Sequence, residues 1–174
     1  MTTIIIIILA LFALPFVIAL FVKKEYAAER TIIINAPKHE VFDYLKHIKN
    51  QDYYSKWSMM DPEMKREYRG IDGQEGFIYA WEGKKAGIGE QEIKSIAEGE
   101  RLTTELRFVK PFVSTGHVYM VTEAMTEHST KVIWGLYGTN PYPRNIMNLI
   151  IGGMLGKDID TSLNNLKKLL ENKK

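Results

Sequence analysis

The chain has no cysteine among its 174 residues. This absence excludes disulfide bonds, zinc sites with thiolate ligands and cysteine nucleophiles. An excess of one charge sign is also missing, since 23 Lys and Arg stand against 21 Asp and Glu, for a formal net charge of +2. Proteins that bind duplex nucleic acid concentrate basic residues in one stripe, so we expect no nucleic-acid partner. With 45% hydrophobic and 25% charged residues, the composition is that of a folded chain rather than a disordered one.

Several catalytic and cofactor-binding motifs are missing as well. No Gly-x-Ser-x-Gly occurs, and the glycines at 70–76 lack the Lys-Ser/Thr ending of a phosphate-binding loop. The four histidines, His39, His47, His117 and His128, are not spaced like the ligands of a metal ion. We therefore expect neither a metal nor a cofactor, and the sequence leaves enzymatic activity undecided.

One long hydrophobic run is present at the N-terminus. Residues 4–22 contain no charged or polar side chain, and a helix of that length extends roughly 28 Å, close to the thickness of a bilayer core. Pro15 lies inside the run, which membrane helices tolerate. Lys23 and Lys24 follow it, and the positive-inside rule places the rest of the chain in the cytoplasm. The sequence thus predicts a single-pass membrane protein with a cytoplasmic domain.

A cleaved signal peptide is the alternative for this run. It is disfavoured because residues 1–3 carry no Lys or Arg and because no small-x-small cleavage site follows the run. We accordingly predict two parts, a membrane anchor with its flank at residues 1–26 and a folded domain at residues 27–174.

The folded domain begins with a predicted strand and two short helices. Residues 29–35 are rich in β-branched side chains, which is typical of a strand. Pro37 suits the first turn of a helix whose apolar face includes Val41, Phe42 and Leu45. A second short helix or irregular turn is expected within residues 52–60.

About six strands and a long helix complete the domain. Alternating apolar residues predict strands near 65–70, 77–82, 87–96, 102–108, 117–125 and 131–138. Short turns between successive strands indicate an antiparallel sheet. Apolar residues from Met147 to Leu170 recur at three- and four-residue steps, as in an amphipathic helix. Gly152, Gly153 and Gly156 interrupt this helix, and a kink or a close approach to the sheet would explain them.

Five segments carry a resemblance to a known superfamily: residues 34–42, 79–83 with 87–90, 129–134, 156–158 and 163–167. Together with the order of elements, they resemble the SRPBCC (START-like) superfamily, and within it the polyketide cyclase/dehydrase and lipid-transport group. The resemblance covers residues 27–172. It implies an α+β helix-grip fold, in which a curved antiparallel sheet wraps around a long C-terminal helix. The N-terminal anchor is an addition to that pattern.

Aromatic and methionine side chains form the candidate binding site. They fall on plausible inward faces of the strands and the last helix, as in pockets for apolar ligands. An ordinary filled core is the alternative, but the superfamily resemblance favours a cavity. Tyr79 and Trp134 would supply polar contacts, whereas Glu90, Glu92, Glu105 and Arg107 are expected on the outer face. The candidate ligand-binding residues are Trp57, Phe77, Tyr79, Trp81, Gln91, Thr104, Phe108, Met120, Trp134, Met147, Ile151 and Met154.

Three functions follow from this interpretation. The first is membrane-tethered binding of a hydrophobic small molecule or lipid in a cavity between the sheet and the C-terminal helix. The second is a regulatory module that contacts a protein partner through the open sheet edge or residues 57–64. The third is a cyclase- or dehydratase-like enzyme, which requires an ionisable side chain facing the cavity.

Overall fold

The computed structural model describes residues 2–172, and within the first helix the side chains of residues 5, 6, 8 and 10 lie outside that description. The predicted parts 1–26 and 27–174 thus include residues 1, 173 and 174, which are not described. The helices are α1 (Thr2–Phe21), α2 (Lys38–Lys46), α3 (Gln51–Tyr54), α4 (Lys56–Met59) and α5 (Asn148–Glu171), with 3₁₀ turns at Ile48–Asn50 and Arg144–Met147. The strands are β1 (Glu25–Ile34), β2 (Lys65–Arg69), β3 (Ile78–Gly83), β4 (Gly87–Ala97), β5 (Arg101–Lys110), β6 (Ser114–Thr126) and β7 (Ser129–Thr139).

The described strands form one antiparallel sheet in the order β1-β7-β6-β5-β4-β3-β2. The last six strands follow one another through short turns, as predicted, and β1 returns to pair with β7. In that pair Glu25 lies opposite Thr139 and Ile34 lies opposite Thr130. The first strand begins four residues earlier than predicted, because residues 25–28 also pair with the end of β7.

The long helix α5 packs closely against β1. A side chain at Gly156 would overlap the Arg30 guanidinium, and one at Gly152 would lie 3.4 Å from the carbonyl oxygen of Ala27. Gly153 faces open space. The expected close approach is therefore found at Gly156, whereas a side chain at Gly152 would make an ordinary van der Waals contact and one at Gly153 would make none.

One half of the space between the sheet and α5 is filled by a solid core. Apolar side chains from four strands meet the second half of α5 and the face of α2 there. Their tight burial shows that this end of the fold is an ordinary core. The residues are Ile34, Val41, Leu45, Ile93, Leu102, Val132, Ile159, Leu163 and Leu166.

The N-terminal helix α1 keeps most of its described apolar side chains exposed, among them Phe12, Leu20 and Phe21. Among the described residues, no helix is both long and apolar enough to cross a membrane. The predicted span at residues 4–22 is therefore not supported. Four of its side chains, at 5, 6, 8 and 10, fall outside the described part of the chain.

Candidate functional site

A cavity of about 330 Å³ lies in the other half of the fold, between the sheet and the first half of α5. Residues of four neighbouring strands line it on one side, namely Gln91, Leu106, Val118 and Leu136. Ile151 and Leu155 of α5 line it on the other. This size is at the lower end of the range for pockets that hold a small molecule or a single acyl chain.

The structure brings eight of the twelve predicted site residues together around this cavity. They are Trp57, Tyr79, Trp81, Gln91, Phe108, Trp134, Met147 and Ile151. Their role in binding a ligand stays a prediction. Period-two spacing correctly placed the strand residues on the inward face, and helical spacing did the same for Met147 and Ile151.

The other four predicted residues do not line the cavity. Phe77 is buried at the edge of the solid core and stacks on Tyr68 with their planes 13° apart. Met120 is also packed into that core. Met154 points outward from α5 with 59% of its surface exposed. The spacing of apolar residues predicted which side chains face α5, but not whether they pack in the solid core or line the cavity.

Thr104, the fourth, acts through a cavity residue. It is buried, and its Oγ1 accepts a hydrogen bond of 2.8 Å from Nε2 of Gln91. This bond satisfies the amide nitrogen of Gln91, which lines the cavity. Thr104 is therefore a positioning residue for Gln91.

Two groups of aromatic rings form a wall of the cavity. Trp81 meets Phe108 edge to face with ring centroids 5.7 Å apart, and Trp57 meets Trp134 in the same way at 6.0 Å. Tyr79 lies 6.2 Å from Trp81 and joins this wall. Such edge contacts lock the rings in place, so the wall is a largely preformed apolar surface.

A sixth ring reaches the cavity because two glycines make room for it. Tyr26 of β1 lies over Gly138, where a side chain would collide with its hydroxyl, and near Gly116 of β6. Gly116 and Gly138 are directly paired across β6 and β7. Burial raises the pKa of the Tyr26 phenol above 10.0. Tyr26 was not among the predicted site residues, because only the pairing of β1 with β7 brings it to the cavity.

Other lining residues came from the short helices and the turn after β5. Gln51, Ser55 and Ser58 of α3, α4 and their junction close one side, and Pro111 and Phe112 lie at another. The alternation that placed Phe108 inward also places Leu106 inward, so Leu106 could have been predicted from the sequence. The lining residues of the loops and short helices could not have been predicted, because their positions follow no periodic pattern.

Two buried N–H groups among the lining residues have no hydrogen-bond partner in the described part of the chain. They belong to Nε1 of Trp134, which is 3% exposed, and Nε2 of Gln51, which is 8% exposed. A buried donor without a partner costs about 1–3 kcal/mol. Trp134 was predicted to supply a polar contact, and its donor is unpaired.

Tyr79, the other predicted polar contact, is already engaged. Its hydroxyl donates to Oδ1 of Asp52 at 2.7 Å, and the same oxygen accepts from Nε of Arg66 at 3.0 Å. Burial and this hydrogen bond raise the pKa of the Tyr79 phenol well above 10.0. Tyr79 therefore presents its ring to the cavity while its hydroxyl fixes the edge strand β2 to α3.

Ionisable side chains are scarce around the cavity. Among the described residues, its lining includes no Asp, Glu, His or Lys, and Arg144 is the charged residue there. An arginine stays protonated at any ordinary pH and is a poor general base. No group of His, Asp or Glu within the described residues could hold a metal ion.

The predicted charged outer face is confirmed as an ion-pair network. Arg107 donates to Glu90, Glu92 and Glu105, with nitrogen–oxygen distances of 2.5–2.8 Å. Arg107 lowers the pKa of the Glu92 carboxyl below 4.5. These groups stabilise the outside of the sheet and do not face the cavity.

Solved structures of the same fold come from diverse proteins. Norcoclaurine synthase from Thalictrum flavum, solved in complex with dopamine and hydroxybenzaldehyde, aligns with a TM-score of 0.65 at 9% identity, covering 86% of this chain and 88% of that one. A protein of Mesorhizobium loti aligns at 0.62 with 14% identity, covering 87% and 99%. DynU16, a putative protein of the dynemicin biosynthetic locus, aligns at 0.59 with 12% identity, covering 83% and 47%. At these identities the likeness shows the helix-grip fold and nothing about the ligand.

The sequence itself also matches a family model. The model is described as polyketide cyclase / dehydrase and lipid transport, and it matches residues 26–171. No curated protein matches the chain. Since the model spans the whole sheet and all of α5, this chain belongs to the polyketide cyclase/dehydrase and lipid-transport family.

Proposed function

We propose that this protein binds an apolar small molecule or a lipid chain in the cavity between the sheet and the first half of α5. The observation that carries the proposal is the cavity itself, about 330 Å³ with a mostly aromatic and aliphatic lining. A closely packed core would bury these rings against one another. Here they surround a space instead, and filling that space with an apolar molecule removes their surface from water.

The unpaired donors suggest what else the ligand carries. An acceptor oxygen on the bound molecule would satisfy Nε1 of Trp134 or Nε2 of Gln51. The lining has no anionic group among its described residues, so a neutral carbonyl, ester or hydroxyl suits it better than a cation. The proposed ligand is therefore apolar with at least one neutral oxygen.

Binding is favoured over catalysis by the chemistry of the lining. A cyclase or dehydratase needs a group that moves a proton at the reacting atom. The described lining offers Arg144 and the hydroxyls of Tyr26, Tyr79 and three serines, none of which is a general base near neutral pH.

The edge strand β2 carries Lys65, Arg66, Glu67 and Arg69, and such charges discourage strand addition by a protein partner.

Photo-crosslinking tests the proposal directly. The full-length protein would be equilibrated with a diazirine-labelled fatty alcohol, irradiated, digested and analysed by mass spectrometry. We expect adducts on cavity residues such as Phe108, Trp134 and Ile151. Adducts confined to α1 and the outer surface would overturn the proposal.

A pair of variants on one helix makes the test specific. Leu155→Trp adds bulk to a side chain that lines the cavity, so the adduct yield at Trp134 should fall several-fold. Met154→Trp makes a comparable addition at the next residue, which is exposed outside the cavity, and should leave the yield unchanged. Equal yields in the two variants would argue against a ligand in this cavity.

The proposal includes a tether through α1. A helix that is apolar on all sides is covered by protein or lipid, and Phe12, Leu20 and Phe21 are 73%, 67% and 84% exposed. We propose that lipid covers them and that the folded domain lies on the cytoplasmic side.

Vesicle flotation after a carbonate wash tests the tether: the parent chain should remain with the vesicles and the Leu11→Arg/Leu14→Arg variant should be released. Release of both would remove the tether from the proposal.

A further inference from the structure

The mouth of the cavity is marked by those lining residues that are also exposed. Phe112 in the turn between β5 and β6 is 58% exposed, and Met147, the last residue of the 3₁₀ turn before α5, is 48% exposed. Beside them Val113 is 75% exposed and Ile150 is 60% exposed. Ile150 flanks Met147 and Ile151 at helical spacing, so this end of the helix changes from cavity wall to exposed apolar surface. We call Phe112, Val113, Met147 and Ile150 the apolar rim.

Basic groups surround the apolar rim. Lys110 ends β5 beside the turn that carries the exposed Lys84 and Lys85, since Ile88 at the start of β4 pairs with Lys110. Arg144 lines the mouth, and its guanidinium lies 5.9 Å from the centre of the Phe112 ring. Of the acidic residues near this turn, Asp61 is buried and accepts backbone hydrogen bonds from Lys85 and Ala86, and Glu82 of β3 is exposed and lies opposite Lys65.

The end of α1 lies at the same place. Nδ2 of Asn148, the first residue of α5, donates to the carbonyl oxygens of Lys23 and Lys24, each at 2.9 Å. These two lysines are exposed and add two positive charges to the mouth, with Glu25 as one exposed negative charge beside them. The basic groups and the apolar helix are thus held at the open end of the cavity, and the solid core occupies the other end.

We propose that the apolar rim docks on an anionic lipid surface, so that the cavity opens directly toward the lipid. Apolar side chains ringed by Lys and Arg are suited to insertion among acyl chains with the cations at the headgroup phosphates. Continuity with α1 favours lipid over a protein partner, because the apolar helix and the rim share one end of the fold. The inference rests on the proposed function, and it adds the route by which an apolar ligand exchanges without crossing water.

The absence of cysteine allows a clean measurement of this orientation. Val113→Cys would place one label on the rim, and His128→Cys would place one in the β6–β7 turn at the opposite end of β6. Each full-length variant would be labelled with a bimane fluorophore and added to vesicles that contain a brominated phosphatidylcholine, with or without 30% phosphatidylglycerol. We expect the bromine atoms to quench the label at 113 and leave the label at 128 unquenched. No quenching at 113, or equal quenching at both positions, would overturn the proposal.

Charge reversal tests the role of the basic ring. Lys110→Glu, made in the Val113→Cys background, changes the charge by two units and should reduce the association constant measured by quenching in phosphatidylglycerol vesicles roughly 25-fold, since one surface charge is expected to contribute about fivefold. Lys168→Glu makes the same change near the C-terminal end of α5 and should have no effect. Equal effects of the two variants, or quenching that is insensitive to phosphatidylglycerol, would exclude recognition of the anionic headgroups.

Two further readouts separate this inference from its alternatives. Disulfide formation between two Val113→Cys chains in place of lipid quenching would show that a second copy covers the rim, which overturns the proposal.

Photo-crosslinking in detergent reports on the cavity alone. Retained adducts at Trp134 together with absent quenching at 113 would reject the docking and keep the proposed function, whereas lost adducts with retained quenching would reject the proposed function.

Discussion

Asn145 fastens the end of α1 to the segment that leads into α5. Its Nδ2 lies 2.6 Å from the carbonyl oxygen of Ala19 and 2.7 Å from that of Val22, and Asn145 is 1% exposed. Carbonyl groups in the last turn of a helix have no partner within the helix. A residue far along the chain satisfies two of them here, so the direction in which α1 leaves the domain is set by a tertiary contact beside the cavity mouth.

Replacing this side chain should loosen the junction. Asn145→Ala leaves two carbonyls without their donor, which should cost about 1–3 kcal/mol in the free energy of unfolding. Asn145→Asp should be worse, because a carboxylate would face two carbonyl oxygens. Hydrogen exchange of the amides of residues 19–25 should become faster in both variants. Asn164→Ala is the control, since Asn164 is exposed and bonds within its own helix; exchange that is equally fast in this control would contradict the assignment.

The filled and hollow halves of the fold should respond differently to truncation on α5. Leu163 is 1% exposed in the solid core, so Leu163→Ala should lower the free energy of unfolding by about 2–5 kcal/mol. Leu155 borders a space that already exists, so Leu155→Ala removes fewer contacts and should cost clearly less. Urea denaturation of the two variants checks this difference. Equal costs would mean that the cavity is closed in solution by its own side chains.

The glycines of α5 should differ when each is replaced by alanine. Gly153 has open space where a side chain would be, and its backbone is helical, so Gly153→Ala should stabilise the protein by about 0.5–1 kcal/mol. At Gly156 the new methyl group would displace the Arg30 side chain, whose Nε bonds Asp160 at 3.0 Å. Gly156→Ala should therefore gain less than Gly153→Ala or lose stability in the same urea titration. The reverse order would contradict the close packing of α5 on β1.

Asp61 should make part of the stability depend on pH. Backbone N–H groups of Lys85 and Ala86 donate to its Oδ2 at 2.7 and 3.2 Å and hold the pKa of its carboxyl below 3.8. A carboxyl whose pKa is lowered by folding stabilises the protein above its ordinary pKa, and this contribution is lost as the pH falls through the lowered value. Urea denaturation at pH 7, 4 and 3 should show a steeper loss in the parent chain than in Asp61→Asn. Parallel curves for the two proteins would rule out this role.

Much of the architecture was predictable from local patterns. Alternation placed Trp81, Phe108 and Trp134 on the inner face, since side chains of a strand point to opposite sides in turn. Helical spacing similarly placed Ile151 of α5 and Met147 just before it beside the cavity. The same periodicity wrongly included Phe77, Met120 and Met154 among the residues that line the cavity. A repeat of two, or of three to four, residues predicts which face of a strand or helix a side chain lies on, but not whether that face borders the cavity or the solid core.

The periodicity of neighbouring residues was enough to predict the succession of strands and the long helix along the chain, the antiparallel pairing of successive strands, and the charged outer face around Arg107. Tertiary structure alone decided where the hollow lies, that Tyr26 enters it over Gly138, and that the hydroxyl of Tyr79 turns away to Asp52. These outcomes depend on how far α5 stands from each strand and on contacts such as that of Asn145 with Ala19. The contact of Asn145 with Ala19 joins residues 126 positions apart, and that of Tyr79 with Asp52 joins residues 27 positions apart, whereas a local pattern reports only on neighbouring residues.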